Sequence, residues 1–149
     1  MKRFVAPALR VFLGLIFVAS SVAGIFQLVP PPTNYPPAAL AFAGALVGSG
    51  YMIVAVWTVQ LVSGVALLLN LWTPLFLVVL VPITVNIMLF HLFLTPRAML
   101  SAGAPGIVVF LLNAALLWLY RGYYAGMLTF RARPGGDPAA VGRSDRTGA

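Results

Sequence analysis

From Val11 to Pro96 the chain carries no lysine, arginine, aspartate or glutamate. A run that long without charge cannot be the surface of a soluble domain, in which roughly 25% of residues are charged. It has to face lipid. The whole sequence agrees, with 62% of its 149 residues hydrophobic and 7% charged. A helix needs about 20 apolar residues to cross a bilayer. Four segments have that length, at roughly 4–29, 51–71, 74–94 and 105–124. The expected fold is therefore an all-α integral membrane four-helix bundle.

The breaks between the segments are marked by residues that end helices. Residues 30–37 read PPPTNYPP, which has no place in a helix interior. Gly48-Ser49-Gly50 separates the apolar stretch Ala38–Val47 from the second span. The two together are too long for one crossing, so Ala38–Val47 reads as a short interfacial or re-entrant helix. Asn70-Leu71-Trp72-Thr73-Pro74 makes a tight connection, and Thr95-Pro96 with Ser101–Pro105 marks the third loop. The membrane domain fills residues 1–130. Residues 131–149 are Gly, Pro, Arg, Ser and Asp with little that is apolar, so a disordered basic tail is expected there.

Charge gives the orientation. Lys2, Arg3 and Arg10 flank the first span, and Arg121, Arg131, Arg133, Arg143 and Arg146 follow the last, whereas the loops between hold only Arg97. Basic residues favour the cytoplasmic side. Four spans put both termini on one face, so both are expected in the cytoplasm of a bacterial inner membrane. Lys2-Arg3, an apolar run and Ser21-Val22-Ala23 have the outline of a cleavable signal peptide. Arg10 lengthens the basic region beyond that pattern, and an uncleaved first span is expected.

Composition also excludes much chemistry. The only acids are Asp137 and Asp145, so no carboxylate side chain occurs between Met1 and Gly136. Paired-carboxylate hydrolysis, Ser-His-Asp catalysis and carboxylate-bridged metals have no residues to use there. The chain has no cysteine, which removes thiol redox chemistry, Fe–S clusters and Cys-ligated zinc. No metal, haem or flavin motif is visible. The basic residues are too sparse for a nucleic-acid surface despite a net charge of +7.

Polar side chains inside an apolar bundle mark its interior. The first span places Arg10, Gly14, Phe17, Ser21 and Gly24 on one helical face, and the small residues let a second helix approach closely. Arg10 either anchors to lipid phosphate or meets an anionic or carbonyl-bearing ligand. In the second span Trp57, Gln60 and Gly64 share a face, and Gln60 serves either as interhelical glue or as a ligand contact. The third span contains Pro82, which is expected to kink the helix. It also holds Asn86 and the only histidine, His91. One histidine without further ligands makes no metal site; it either packs against a neighbouring helix or hydrogen-bonds a ligand. In the fourth span Asn113 faces another helix, while Trp118, Tyr120, Arg121, Tyr123 and Tyr124, with Trp72 and Phe76, form an interfacial belt. The candidate ligand-binding residues are thus Arg10, Gln60, Asn86 and His91, with none assigned to catalysis.

Pro82–Pro96 reads PITVNIMLFHLFLTP, and Leu9–Phe17 reads LRVFLGLIF. With the Pro-rich first loop, Gly48-Ser49-Gly50-Tyr51, and QLVSGVALLL at Gln60–Leu69, these runs resemble the DoxX family of small four-span bacterial membrane proteins over about residues 8–130. The resemblance implies a four-helix bundle in the inner membrane. For some relatives it implies a membrane subunit that passes electrons to quinone, or a partner in an oxidative-stress complex. Two departures stand out: family members often carry Glu where this chain has Gln60, and Lys about where it has Gly24. A lone buried charge is costly, so the joint loss suggests that these two positions face each other.

Three functions follow as expectations. The first is a quinone-binding or accessory subunit of a membrane oxidoreductase, with electrons supplied by a partner. The second is a non-catalytic scaffold or accessory subunit, as a homo-oligomer or beside a redox-enzyme partner that carries the chemistry. The third is a small transporter, to which Gly48–Gly50 and Pro82 would contribute broken helices.

Overall fold

The computed structural model describes residues 2–30, 35–96 and 105–124. The basic tail, most of the third loop and the middle of the Pro-rich loop lie outside the described residues. Every regular element is helical. In chain order they are α1 (Lys2–Ile25), α2 (Pro37–Gly48), α3 (Met52–Leu69), α4 (Thr73–Leu89), a π-helical turn (Phe90–Leu94), α5 (Pro105–Leu119) and a 3-10 turn (Arg121–Tyr123). α1, α3 and the continuous α4–π segment are long and apolar enough to cross a membrane. Large apolar side chains such as Phe12, Leu15, Val54, Val62, Leu75 and Leu111 are exposed around the outside. That inverted distribution is the one a bilayer demands, because lipid solvates apolar surface and water does not.

α1 packs most extensively on α3, and α4 on α5; α3 also meets α4, and α5 returns to α1. These contacts close a four-helix ring. α1 and α3 run antiparallel and touch at backbone distance. A Cβ on Gly14 would sit 3.0 Å from the Gly64 carbonyl oxygen, and a Cβ on Gly64 3.0 Å from that of Gly14. One helical face of α1 thus carries the small residues that the approach requires.

The core consists of Leu13, Phe17, Leu67, Leu77, Leu80, Val109 and Leu116. Most of these lie toward the α3–α4 turn. There Asn70 adopts φ 58°, and its N–H bonds to Leu67 O at 3.2 Å while Leu71 N–H reaches Ala66 O at 2.9 Å. This paired pattern caps the carbonyls that a helix end leaves free. The same cap ends α1 early. Gln27 takes φ 50°, with Gln27 N–H to Gly24 O at 3.2 Å and Leu28 N–H to Ala23 O at 2.9 Å. α1 therefore stops at Ile25 rather than continuing to Val29 as expected. α5 likewise stops at Leu119 and tightens into the 3-10 turn before Tyr124.

Asn113 braces α5 against α4, as expected of a polar residue facing another helix. Its Nδ2 donates to Thr84 Oγ1 at 3.2 Å and to Leu77 O at 3.4 Å. α4 continues through Pro82. The interfacial aromatics gather at the turn end. The Tyr124 hydroxyl donates to Pro74 O at 2.9 Å, and the Arg121 guanidinium lies 4.8 Å from the centre of a Trp118 ring.

α2 stands apart from the ring. Proline at its first position presets the helical φ, and Gly50 at φ 76° turns the chain into α3. The Ser49 hydroxyl accepts the Met52 N–H at 3.1 Å at that entry. Of α2 only Ala39 is buried, and the helix rests on α3 and the π turn.

Candidate ligand site

The candidate site lies toward the end of the bundle opposite the α3–α4 turn. Between α2, α3, α4 and the π turn lies a cleft of about 440 Å³. Phe42 of α2, Trp57 of α3 and Phe90 of the π turn supply aromatic wall. Three polar side chains meet it: Gln60, Asn86 and His91. Drug-sized ligands occupy clefts of this size and kind, mostly apolar with a few placed polar groups.

Gln60 is buried at 7% relative exposure, yet its amide forms no hydrogen bond among the described residues. Asn86 lies on an exposed face of α4 at the rim of the cleft, so it belongs to the opening and not to the bundle interior.

His91 is held from two sides. Its Nδ1 lies 2.8 Å from Ile87 O, one helical turn back. A carbonyl only accepts, so Nδ1 carries the proton and donates. On α5, Gly106 makes room for the ring: a Cβ there would fall 2.6 Å from Nδ1. Phe90 meets the imidazole edge-on at 5.4 Å between centroids, and Tyr35 and Phe42 extend that aromatic group. The π-helical turn re-aims Phe90 and His91 relative to a regular helix, a feature concentrated at functional sites.

Arg10 is not part of this group. It lies one turn beyond the Gly14–Gly64 contact, toward the α3–α4 turn, and does not line the cleft. It is half-buried, and its Nε is enclosed without a hydrogen-bond partner among the described residues. Gly24 belongs to the α1–α3 seam, and Gln60 lines the cleft. A Cβ on Gly24 would collide with the Trp57 indole, one turn from Gln60. An indole therefore covers the place where a side chain at position 24 would project. Among the described residues no cluster of three or more metal-ligating side chains occurs.

Sequence reasoning did not find the wall residues Phe42 and Phe90 or the support from Gly106. The aromatic residues lay in plain view, but nothing local reveals that α2 folds over the α3–α4 groove. Gly106 shares its helical face with Asn113, and that periodicity was the available signal.

The DoxX family's sequence model matches residues 6–92, which is 87 of the 149 residues and spans α1 to the start of the π turn. No curated protein and no solved structure matches the chain.

Proposed function

From the premise that the chain belongs to the DoxX family of membrane proteins, we propose that it is an accessory subunit holding a quinone-class ligand for a membrane oxidoreductase or oxidative-stress complex. One observation carries this reading. An apolar, aromatic-walled cleft receives the Gln60 amide and the His91 imidazole, each with hydrogen-bonding capacity unused among the described residues. Quinones combine an apolar ring with polar oxygens, and the residues fit that combination. Gln60 offers both N–H donors and an acceptor oxygen, His91 a ring nitrogen, and Asn86 an amide at the rim. Trp57, Phe42 and Phe90 exclude water and receive the ring face.

When bound, such a ligand supplies two-electron carrier chemistry; the chain's own residues orient and enclose it. Electrons come from a partner protein. With both termini in the cytoplasm of a bacterial inner membrane, the arrangement that the positive-inside bias favours, the cleft would open toward the outer leaflet.

The test is mass spectrometry of the organic extract of protein purified in mild detergent. Stoichiometric ligand of the quinone–hydroquinone pair, lost in Gln60→Leu and in His91→Leu, supports the reading. Bulk phospholipid alone assigns the chain to a scaffold role, to be followed by crosslinking in native membranes.

A further inference from the structure

We infer that the cleft selects the hydroxyl-bearing, reduced form of its ring ligand, because His91 offers it a hydrogen-bond acceptor. This rests on the quinone-class reading above and adds which redox form is held. His91 has two ring nitrogens, and the fold has committed one. Nδ1 donates to Ile87 O at 2.8 Å, and Gly106, lacking a side chain, leaves room for that edge of the ring. In neutral imidazole the other nitrogen, Nε2, then carries only a lone pair. It has no partner among the described residues, although the ring lines the cleft.

No carboxylate faces the ring from the elements around it. The cleft is walled by α2, α3, α4 and the π turn, with α5 behind the ring, and none of these elements contains an aspartate or glutamate. A lone pair facing a quinone carbonyl sets acceptor against acceptor and leaves both unpaired. A lone pair facing a hydroquinone or phenol O–H forms a hydrogen bond. Sites built around a ligand hydroxyl reject the analogue that lacks it, since the site's own polar group is then left unsatisfied. Gln60 does not cancel this preference, because its amide satisfies either a carbonyl or a hydroxyl.

The experiment uses the full chain in detergent under anaerobic conditions. Three probes are titrated calorimetrically: a short-chain alkyl-benzohydroquinone, its quinone, and its dimethyl ether. We expect the hydroquinone to bind at least about tenfold more tightly than either other probe. In His91→Phe it should fall to the affinity of the ether, while the ether itself changes less than about twofold. The chain has one histidine, so ¹⁵N spectra of the unmodified protein give a readout that needs no variant. Hydroquinone should shift the Nε2 resonance and leave Nδ1 in place.

If the quinone binds as tightly as the hydroquinone, hydroxyl selection is wrong and the quinone-class cleft survives. A preference that persists in His91→Phe, or an unmoved Nε2 resonance, removes His91 as its source. If none of the three probes binds, the cleft reading itself fails.

Discussion

Replacing Gly106 by alanine asks whether α5 fixes the His91 ring. The new Cβ would lie 2.6 Å from Nδ1 and 2.9 Å from both Cγ and the Ile87 carbonyl oxygen. Carbon contacts are comfortable at about 3.5 Å or more. The imidazole can swing away, but the Ile87 carbonyl is backbone and cannot. Relief therefore requires α5 to shift from α4 as well as the ring to turn. Turning the ring breaks the 2.8 Å bond to Ile87 O, a net loss of about 0.5–1.5 kcal/mol. Overpacking a tight contact costs about 1–3 kcal/mol. Alanine returns at most about 1 kcal/mol of helix propensity. The expected result is a protein about 1–3 kcal/mol less stable, with a displaced His91. Thermal unfolding in detergent gives the first quantity and the ¹⁵N spectrum of the histidine the second. Gly44→Ala is the control, since a Cβ on Gly44 meets no atom within 4 Å; that variant should equal or exceed the parent. If Gly106→Ala behaves like Gly44→Ala and the histidine resonances do not move, the packing argument is refuted.

Gln60→Leu should leave thermal stability unchanged or slightly raised, because its amide has no partner to lose among the described residues, yet lower ligand retention in the organic extract. Arg10→Met should retain ligand and lose no stability, since the stem is kept and an enclosed Nε without a partner is removed; ligand loss in this variant would tie Arg10 to the cleft after all. Asn113→Ala removes the bonds to Thr84 and Leu77 O and should cost about 2–3 kcal/mol by thermal unfolding. Gly24→Ala should displace the Trp57 indole and blue- or red-shift its fluorescence, and Trp57→Leu in the same chain should restore the stability lost.

The membrane class, the helix order and the small-residue face of α1 were legible because they depend on local pattern. An uncharged run from Val11 to Pro96 permits few alternatives, and Gly14 and Gly24 fall on the side that α3 covers. Asn113 was legible as a bracing residue for the same reason. The helix ends were less so. Gln27 closes α1 in a left-handed conformation usually taken by glycine or asparagine, and its side chain does not announce it. The site was half legible. Gln60 and His91 stood out as polar residues in apolar spans, but periodicity assigns a face, not the depth at which two faces meet. Arg10 shares its face with Ser21 and Gly24 and yet lies at the other end of the bundle. Asn86 sits on α4 one turn before Phe90, at the rim, because α2 covers only part of that groove.

The uneven packing also sets where the fold gives way. Leu67, Leu77 and Leu116 are sealed near the α3–α4 turn, whereas α2 buries one residue and borders a cleft. Backbone amides of α2 and the π turn should exchange with solvent through small openings, and those around Leu77 only on global unfolding. A guest in the cleft would fill the space between α2 and the rest of the bundle. Its arrival and the ordering of α2 are then one equilibrium, so the slowed exchange of α2 amides measures occupancy without reference to what the guest is.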